Sequence, residues 1–259
     1  AANSVLSRAG IYVFDMDPLL FSGIRLASGA VMLAVLVSLR GGWPRLDRNR
    51  SLTAGALLIY LVPFSLAYLT LPSGVGALIL FGVVQITMFA GSAMVGAHPT
   101  RRQWFGMGIA MVGLSWLLWP SQTLALDALG VAFMALAGVG WGVFSLRGRG
   151  SRDPLGDMGI SFVALLPIAL VLMVLGGGWS LSGVVVAVLC GGVTSGLGYA
   201  LWYRVLPQIA ATTGAVAQLS VPVIAIIAGA ILLGEVITFD IVMASVVVLG
   251  GIGVAVIRR

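Results

Sequence analysis

Apolar stretches of about 20 residues, separated by short polar links, run through the whole sequence. Of its 259 residues, 60% are hydrophobic and 8% are charged, whereas about a quarter of the residues in soluble domains are charged. A soluble domain of this size could not bury so much apolar surface, so lipid is the expected solvent. In lipid the backbone must satisfy its own hydrogen bonds, and long stretches without polar alternation favour helices over barrel strands. The sequence therefore predicts an all-α integral membrane protein.

Turn-forming glycine, proline and serine residues divide the chain into ten predicted membrane-spanning helices. The predicted spans are residues 1–14, 18–40, 52–71, 73–96, 103–119, 126–146, 158–176, 180–203, 209–233 and 238–257. The first is too short to cross a bilayer, so we expect the first helix to be truncated at its start. None of the links is long enough to hold a soluble domain.

Arginines and acidic residues alternate along the links between these spans. The arginine-bearing links hold Arg40, Arg45, Arg48, Arg50, Arg101, Arg102, Arg147, Arg149, Arg152, Arg204, Arg258 and Arg259. The intervening links hold Asp15, Asp17, Asp127, Glu235 and Asp240. By the positive-inside rule, this alternation predicts ten spans with both termini in the cytoplasm. The net charge of +6 is dispersed over these links, so nucleic acid is not an expected partner.

An internal repeat relates the two halves of the chain. Residues 76–113 align without a gap with residues 214–251, and nine of the 38 pairs are identical, including Gly113 with Gly251. Because each half holds five helices, an odd number, the second half is inverted relative to the first. Inverted repeats are the construction of many secondary transporters, with the substrate site between the halves near the membrane midplane. The two predicted five-helix units are residues 1–125 and 126–259.

Three segments resemble the drug/metabolite transporter superfamily, EamA type. They are DPLLFSGIRLASGAVMLAVL at 17–36, LPSGVGALILFGVVQ at 71–85 and YRVLPQIAATTGAVAQLSVPVIAIIAGAILLGEVIT at 203–238. Among its members, the bacterial aromatic amino-acid exporters of YddG type look nearest. The resemblance implies two inverted EamA repeats and export of metabolites from the cytoplasm across the bacterial inner membrane. Pro222 and Glu235 fall on Val84 and Ala97 in the first half, so it implies no symmetric role for them.

Polar and aromatic side chains at mid-depth are the predicted substrate-binding residues, because a polar group facing lipid would be costly. The predicted set is Asn3, Tyr60, Phe64, Tyr68, Gln85, Trp141, Tyr199 and Gln218. Tyr60, Phe64 and Tyr68 share one helix face at a spacing of four residues, which could form a wall for aromatic substrates or pack against a neighbouring helix. The amides could instead only join helices. For Thr194 and Ser195 we favour hydrogen bonds to their own helix backbone.

Arg8 and Arg25 are the only charges well inside predicted spans. Such an arginine is a candidate site for a substrate carboxylate or phosphate. The favoured alternative is that both side chains reach outward to Asp15 and Asp17. All eight acidic residues lie in links or at span ends, so the sequence does not predict a buried carboxylate that relays protons or binds sodium.

Two prolines inside predicted spans, Pro63 and Pro222, are candidate hinges, although static packing is the alternative. The chain has one histidine, His98, and one cysteine, Cys190, which leaves no basis for a multi-histidine metal site or a Ser–His pair within the membrane. We therefore expect neither an enzyme nor a bound metal or cofactor.

These observations together predict a transporter that exports neutral or aromatic amino acids, or related small metabolites, by alternating access. The expected partners are the small-molecule substrate and the lipid bilayer. The oligomeric state is left open, and a monomer is compatible with the sequence. Two alternatives remain at this point: an exchanger of larger anionic metabolites such as sugar nucleotides, and a membrane bundle without transport activity.

Overall fold

All regular elements in the described part of the chain are helical. The computed structural model describes residues 1–94, 100–119, 126–148, 151–205 and 211–256, except for the side chains of residues 92, 202–204 and 211–219. Within these ranges no strand is present. The all-α prediction is therefore confirmed for the described residues.

Twelve α-helices and two π-helical stretches make up the described chain. In chain order they are α1 (Ala2–Arg8), a π-helical stretch (Ala9–Val13), α2 (Pro18–Arg40), α3 (Arg48–Ala67), α4 (Ser73–Met94), α5 (Arg101–Leu118), α6 (Ala128–Gly148), α7 (Pro154–Ala164), α8 (Leu166–Leu175), α9 (Leu181–Val188), a second π-helical stretch (Leu189–Leu197), α10 (Gly198–Val205), α11 (Ala211–Leu233) and α12 (Phe239–Val256).

Three helices begin earlier than their predicted spans because polar side chains cap them. Asp47 accepts a hydrogen bond from the Arg50 amide at 2.8 Å, so α3 starts at residue 48 instead of 52. Thr100 and Gln103 form a capping box that starts α5 at residue 101 instead of 103. Asp153 caps α7, which starts at residue 154 instead of 158. Capping satisfies backbone amides that a helix start leaves free. A helix boundary drawn from hydropathy does not take these polar caps into account.

The predicted span 158–176 is bent sharply. It consists of α7 and α8, whose axes differ by 42° at a break around Leu165. Pro167 lies in the first turn of α8, and its ring has no N–H to continue the hydrogen-bond ladder of α7. The predicted span 180–203 is also not uniform, because α9 and α10 flank the π-helical stretch Leu189–Leu197.

Six described helices are long and apolar enough to cross a membrane, or seven if the bent pair α7 and α8 counts as one span. Large apolar side chains also cover the outer surface of α5, which is not one of these six: Trp104 is 60% exposed, and Trp119, at the end of the helix, is 75% exposed. Such a surface is expected against lipid and would be a liability in water. The structure therefore supports several membrane crossings, and the ten-span count stays a prediction.

Helices from the first half of the chain pack against helices from the second half. The most extensive contacts between described helices join α5 with α12, α3 with α6, and α4 with α6. Helix α2 contacts α7, α8 and the second π-helical stretch, and α4 contacts α11. The two halves therefore share a common core, and a central cavity lies between their helices.

Two ion pairs join the arginine-bearing helix ends to the start of α7. Arg40, the last residue of α2, donates to both carboxylate oxygens of Asp153, and Arg50 of α3 lies 2.7 Å from Asp157. The Arg40 guanidinium holds the pKa of Asp153 below its ordinary value. These pairs fix the link-side ends of α2 and α3 to the second half.

Candidate functional site

A cavity of ≈ 320 Å³ lies among the helices of both halves. This volume is within the range of small-molecule sites, about 300–1,000 Å³. Its described lining residues are Ala1, Ala2, Asn3, Ser4, Tyr60, Phe64, Leu80, Phe81, Trp141, Thr194, Gly198, Tyr199 and Val221. They come from α1, α3, α4, α6, the second π-helical stretch, α10 and α11. The cavity therefore lies where the two halves meet.

Aromatic rings form one continuous wall of this cavity. The Tyr60 ring lies 5.2 Å from the Phe64 ring and 4.8 Å from the Trp141 ring, and Trp141 lies 5.2 Å from Tyr199 (centroid distances). Gly140 makes the contact between α3 and α6 possible, because a Cβ there would lie 2.6 Å from the backbone nitrogen of Tyr60. The absence of a side chain lets α6 rest directly on the α3 backbone, which places Trp141 beside Tyr60.

An amide and two hydroxyls on the cavity wall are joined by hydrogen bonds. Asn3 donates from Nδ2 to the Tyr199 hydroxyl at 3.3 Å, and its Oδ1 accepts from the Thr194 hydroxyl. Thr194 Oγ1 also lies 2.9 Å from the carbonyl oxygen of Cys190, the helix-backbone acceptor expected for a hydroxyl within a helix. The prediction that Thr194 bonds its own helix backbone was therefore incomplete, because the same side chain also lines the cavity.

Arg25 lies immediately behind the aromatic wall. It is fully buried, its Nη2 donates to the Tyr60 hydroxyl at 3.1 Å, and its Nε and Nη2 donate to Ser195 Oγ at 3.3 Å. Its guanidinium carbon is 5.0 Å from the centre of the Phe64 ring. Nη1 has no hydrogen-bond partner among the described residues. The expectation that Arg25 reaches outward to Asp15 and Asp17 is therefore wrong.

Arg8 is paired, but not with the predicted partners. Its Nε lies 3.7 Å from Glu235, its Nη1 donates to the carbonyls of Tyr68 and Leu69 at 2.9 and 3.1 Å, and its guanidinium covers the Tyr12 ring. Its carboxylate partner is thus Glu235, in a different acidic link from Asp15 and Asp17, and the two predicted partners were wrong. Asp17 instead caps α2 by accepting from the amides of residues 19 and 20.

Glu235 is the centre of a polar cluster that contains Arg8 and Ser73. Its carboxylate accepts hydrogen bonds from the backbone amide of Ser73 at 2.8 and 2.9 Å and from the Ser73 hydroxyl at 2.7 Å. Ser73 Oγ also lies 3.3 Å from the carbonyl of Ala225 in α11. The cluster joins α1, the start of α4 and the α11–α12 link.

Some predicted site residues lie away from the cavity. Tyr68 is fully buried, meets the Phe64 ring edge-on at 4.9 Å and donates to the Ser73 carbonyl at 3.3 Å. Gln85 is half-buried on α4 and is not a lining residue. The side chain of Gln218 lies outside the described residues.

The two candidate hinge prolines are buried in unbroken helices. Pro63 lies within α3 and Pro222 within α11. Each adjoins a lining residue, Phe64 and Val221 respectively. A bend of 42° lies between α7 and α8, where no hinge was predicted.

Several contributors to the site were missed from the sequence. Leu80, Phe81 and Val221 line the cavity, but nothing distinguishes them from other apolar residues in a membrane helix. Ser195 was considered only as a backbone-bonding hydroxyl. The glycine-rich sequence LCGGVTSGL of the second π-helical stretch was a signal that could have indicated the site. Its glycines make the close contact with α2, and π-helical turns often occur at functional sites.

Other sites are not apparent in the described residues. They contain no group of three or more His, Cys, Asp or Glu side chains placed to hold a metal ion. Two larger hollows, of ≈ 530 and ≈ 450 Å³, lie on α5, but exposed apolar side chains such as Trp104 and Trp119 line them. Those hollows belong to the outer, lipid-facing surface.

Comparisons with known proteins agree with this architecture. The chain is 40% identical to an uncharacterized protein of Pseudomonas aeruginosa, over the whole chain and 91% of the relative. It is 24% identical to an uncharacterized transporter of Archaeoglobus fulgidus, over 94% of this chain and 90% of that one. A protein of known crystal structure superposes with a TM-score of 0.65 over 98% of each chain at 14% identity, which shows a shared fold.

The family assignment comes from the second half of the chain. Residues 128–257 match the model of the EamA-like transporter family, whose members are membrane transporters of small substrates. The matched segment contains α6 to α12, including Trp141, Thr194 and Tyr199 of the cavity. The chain belongs to the EamA-like transporter family and is a multi-pass membrane protein.

Proposed function

We propose that this transporter exports neutral amino acids, preferentially aromatic or large apolar ones, from the cytoplasm across the bacterial inner membrane by alternating access. The observation that carries the proposal is the cavity between the halves, where a continuous aromatic wall faces a small polar group. The rings of Tyr60 and Trp141 offer apolar and stacking contacts to a side chain. Asn3, Thr194 and Tyr199 offer donors and acceptors to the amino and carboxyl groups that all amino acids share.

The size and lining of the cavity favour this proposal over its alternatives. Sugar nucleotides are larger and more highly charged than the molecules that suit an aromatic cavity of ≈ 320 Å³. The aromatic wall also supports our proposal that this protein is similar to the aromatic amino-acid exporters of YddG type. Gln85 and Gln218 remain proposed contacts elsewhere along the transport path.

We further propose the ten-span architecture of two inverted five-helix repeats, residues 1–125 and 126–259. Support comes from contacts that recur after the shift of 138 residues between the repeats. A Cβ on Gly113 would lie 2.8 Å from the backbone nitrogen of Val248, and one on Gly251 would lie 2.5 Å from that of Ala110. Gly251 and Val248 are the repeat equivalents of Gly113 and Ala110, so one contact occurs twice.

A second pair of contacts has the same relation. Arg102 donates to the carbonyl of Val254 at 2.9 Å, and Trp116 donates from Nε1 to Asp240 at 3.4 Å. Asp240 and Val254 are the repeat equivalents of Arg102 and Trp116. Reciprocal contacts of this kind are expected where a two-fold axis relates two surfaces. This axis would pass between α5 and α12.

The first test concerns transport. In liposomes containing the purified protein, Thr194→Ala should lower counterflow uptake of all transported amino acids about fivefold or more, because their shared backbone group loses a partner worth about 1 kcal/mol. Tyr60→Ala should instead change the ranking among side chains. The matched control is Thr53→Ala, since Thr53 also donates to the carbonyl four residues earlier but lies outside the cavity. Normal uptake of every amino acid by Thr194→Ala would refute the proposed site.

The second test concerns topology. Cysteines replacing Arg48 and Arg152, in a protein whose buried Cys190 is replaced by serine, should react with an impermeant thiol reagent only from the cytoplasm. A cysteine replacing Asp127 should react only from outside, because the positive-inside rule assigns its link to that face. Labelling of both groups from one side would exclude the ten-span arrangement.

A further inference from the structure

We propose that Arg25 binds a carboxylate of the transported molecule, so that a carboxylate group is a requirement for recognition. This inference rests on the proposed transport function and deepens it, because it names the chemical class that the cavity selects. The neutral polar fixtures of the cavity do not by themselves distinguish an amino acid from its amide or from an amine. A buried guanidinium does distinguish them, because its positive charge favours an anion.

The charge of Arg25 is uncompensated among the described residues. The side chain is fully buried, and none of the described acidic residues forms an ion pair with it. Its hydrogen-bond acceptors are the neutral hydroxyls of Tyr60 and Ser195. A buried charge without a partner is costly, and in membrane helices such a charge is a candidate ligand site.

One edge of the guanidinium is available for a ligand. Nε and Nη2 are used by the two hydroxyls, whereas Nη1 is buried and has no partner among the described residues. Burying two unused N–H donors carries a free-energy cost that an acceptor would remove. A carboxylate suits this edge because one oxygen can meet Nη1 while the other replaces the Tyr60 hydroxyl as an acceptor of Nη2.

Two of the residues that contact Arg25 also line the cavity. The Tyr60 ring lies on the cavity wall while its hydroxyl contacts Arg25, and the Phe64 ring, also on the wall, lies 5.0 Å from the guanidinium carbon. Ser195, the other acceptor, follows the lining residue Thr194. The guanidinium is thus one side chain away from the cavity, and movement of the Tyr60 ring would place the substrate carboxylate against Nη1 and Nη2.

Arg8 shows what a satisfied arginine looks like in the same fold. It has a carboxylate partner in Glu235 and two backbone carbonyl acceptors. Arg8 therefore has no comparable need for a ligand, and the candidate anion site reduces to Arg25.

The test uses three probes that share a phenylethyl group: 3-phenylpropionate, its neutral amide and the corresponding phosphonate. Binding to the purified protein in lipid nanodiscs is measured by titration calorimetry. We expect the wild-type protein to bind the carboxylate about tenfold or more tightly than the amide, as for a desolvated charge pair. Arg25→Met should remove this difference and Arg25→Lys should keep part of it. Arg40→Met, on the same helix but in an exposed ion pair, should behave as wild type.

A further variant separates binding from a purely structural role of Arg25. Tyr60→Phe keeps the ring but removes the hydroxyl that competes for Nη2, so carboxylate affinity should be equal or higher while amide affinity is unchanged. This variant decides the question if Arg25→Met does not fold. A fall in carboxylate affinity in Tyr60→Phe, unchanged discrimination in Arg25→Met, or tighter binding of the phosphonate than of the carboxylate would each overturn the proposal.

Liposome uptake distinguishes failure of this inference from failure of the proposed function. Equal uptake of phenylalanine and phenylalaninamide by the wild-type protein would overturn the carboxylate requirement and leave export intact. Carboxylate binding that depends on Arg25, without uptake of any amino acid, would support the anion site and refute amino-acid transport.

Discussion

Gly191→Ala is expected to yield little folded protein. A Cβ at this position would lie within 2.8 Å of the carbonyl carbon of Arg25 and would overlap the Arg25 carbonyl oxygen and the Ser28 hydroxyl. Two of these atoms belong to the α2 backbone, so a side-chain rotation cannot relieve the overlap. Inserting a methyl group into a packed site costs about 1–3 kcal/mol, and more where backbones must separate. The readouts are the monodisperse fraction after detergent extraction and the thermal unfolding midpoint.

The neighbouring glycine provides the control for this experiment. A Cβ on Gly192 would lie 3.8 Å from the Ser28 carbonyl oxygen, which is an ordinary contact. Gly192→Ala should therefore unfold within a few degrees of the wild-type protein. If Gly191→Ala is as stable as Gly192→Ala, then α2 and the second π-helical stretch are not in the close contact that places Ser195 against Arg25.

Glu235→Ala is expected to destabilise the protein and to impair transport. The change removes the carboxylate that accepts from the Ser73 amide and hydroxyl and pairs with Arg8. Leaving a buried donor without an acceptor costs about 1–3 kcal/mol, and Arg8 would lose its compensating charge. Because the cluster joins α1, α4 and the α11–α12 link, transport should fall together with thermal stability.

Two further substitutions make this prediction specific. Glu235→Gln keeps an oxygen for Ser73 but loses the charge, so it should fall between wild type and Glu235→Ala in thermal unfolding. Asp15→Asn removes an exposed carboxylate and should leave stability and uptake unchanged. Equal stability of Glu235→Ala and wild type would mean that this cluster does not hold the bundle together.

The helices of the fold could be predicted because lipid imposes long apolar segments, but three of their starts were placed two to four residues late because caps such as Asp47 and Asp153 were not considered. The bend at Leu165 was not predicted, although Pro167 is visible in the sequence. The π-helical stretch after Val188 depends on tertiary packing, because Gly191 lies against the α2 backbone. Hydropathy reports how apolar a segment is, but not the path of its axis.

The candidate site was predicted in part. Tyr60, Phe64, Trp141 and Tyr199 come together because aromatic side chains on neighbouring helices face one interior. The partners of the arginines were predicted wrongly, since nearness in sequence favoured Asp15 and Asp17. The actual acceptors of Arg25 lie 35 and 170 residues away, at Tyr60 and Ser195. Long-range pairing of this kind is set by how helices from the two halves interleave.

The contact between α5 and α12 can form only late in biosynthesis. About 120 residues separate the end of α5 from the start of α12, and translation at roughly 5–20 residues per second makes this a delay of about 6–24 s. During that interval the glycine-bearing face of α5, with Gly106 and Gly113, has been made but its partner has not. The most extensive interhelical contact described in this protein is therefore among the last to form. A ribosome that stops before residue 239 releases a chain whose α5 lacks α12, its main partner helix.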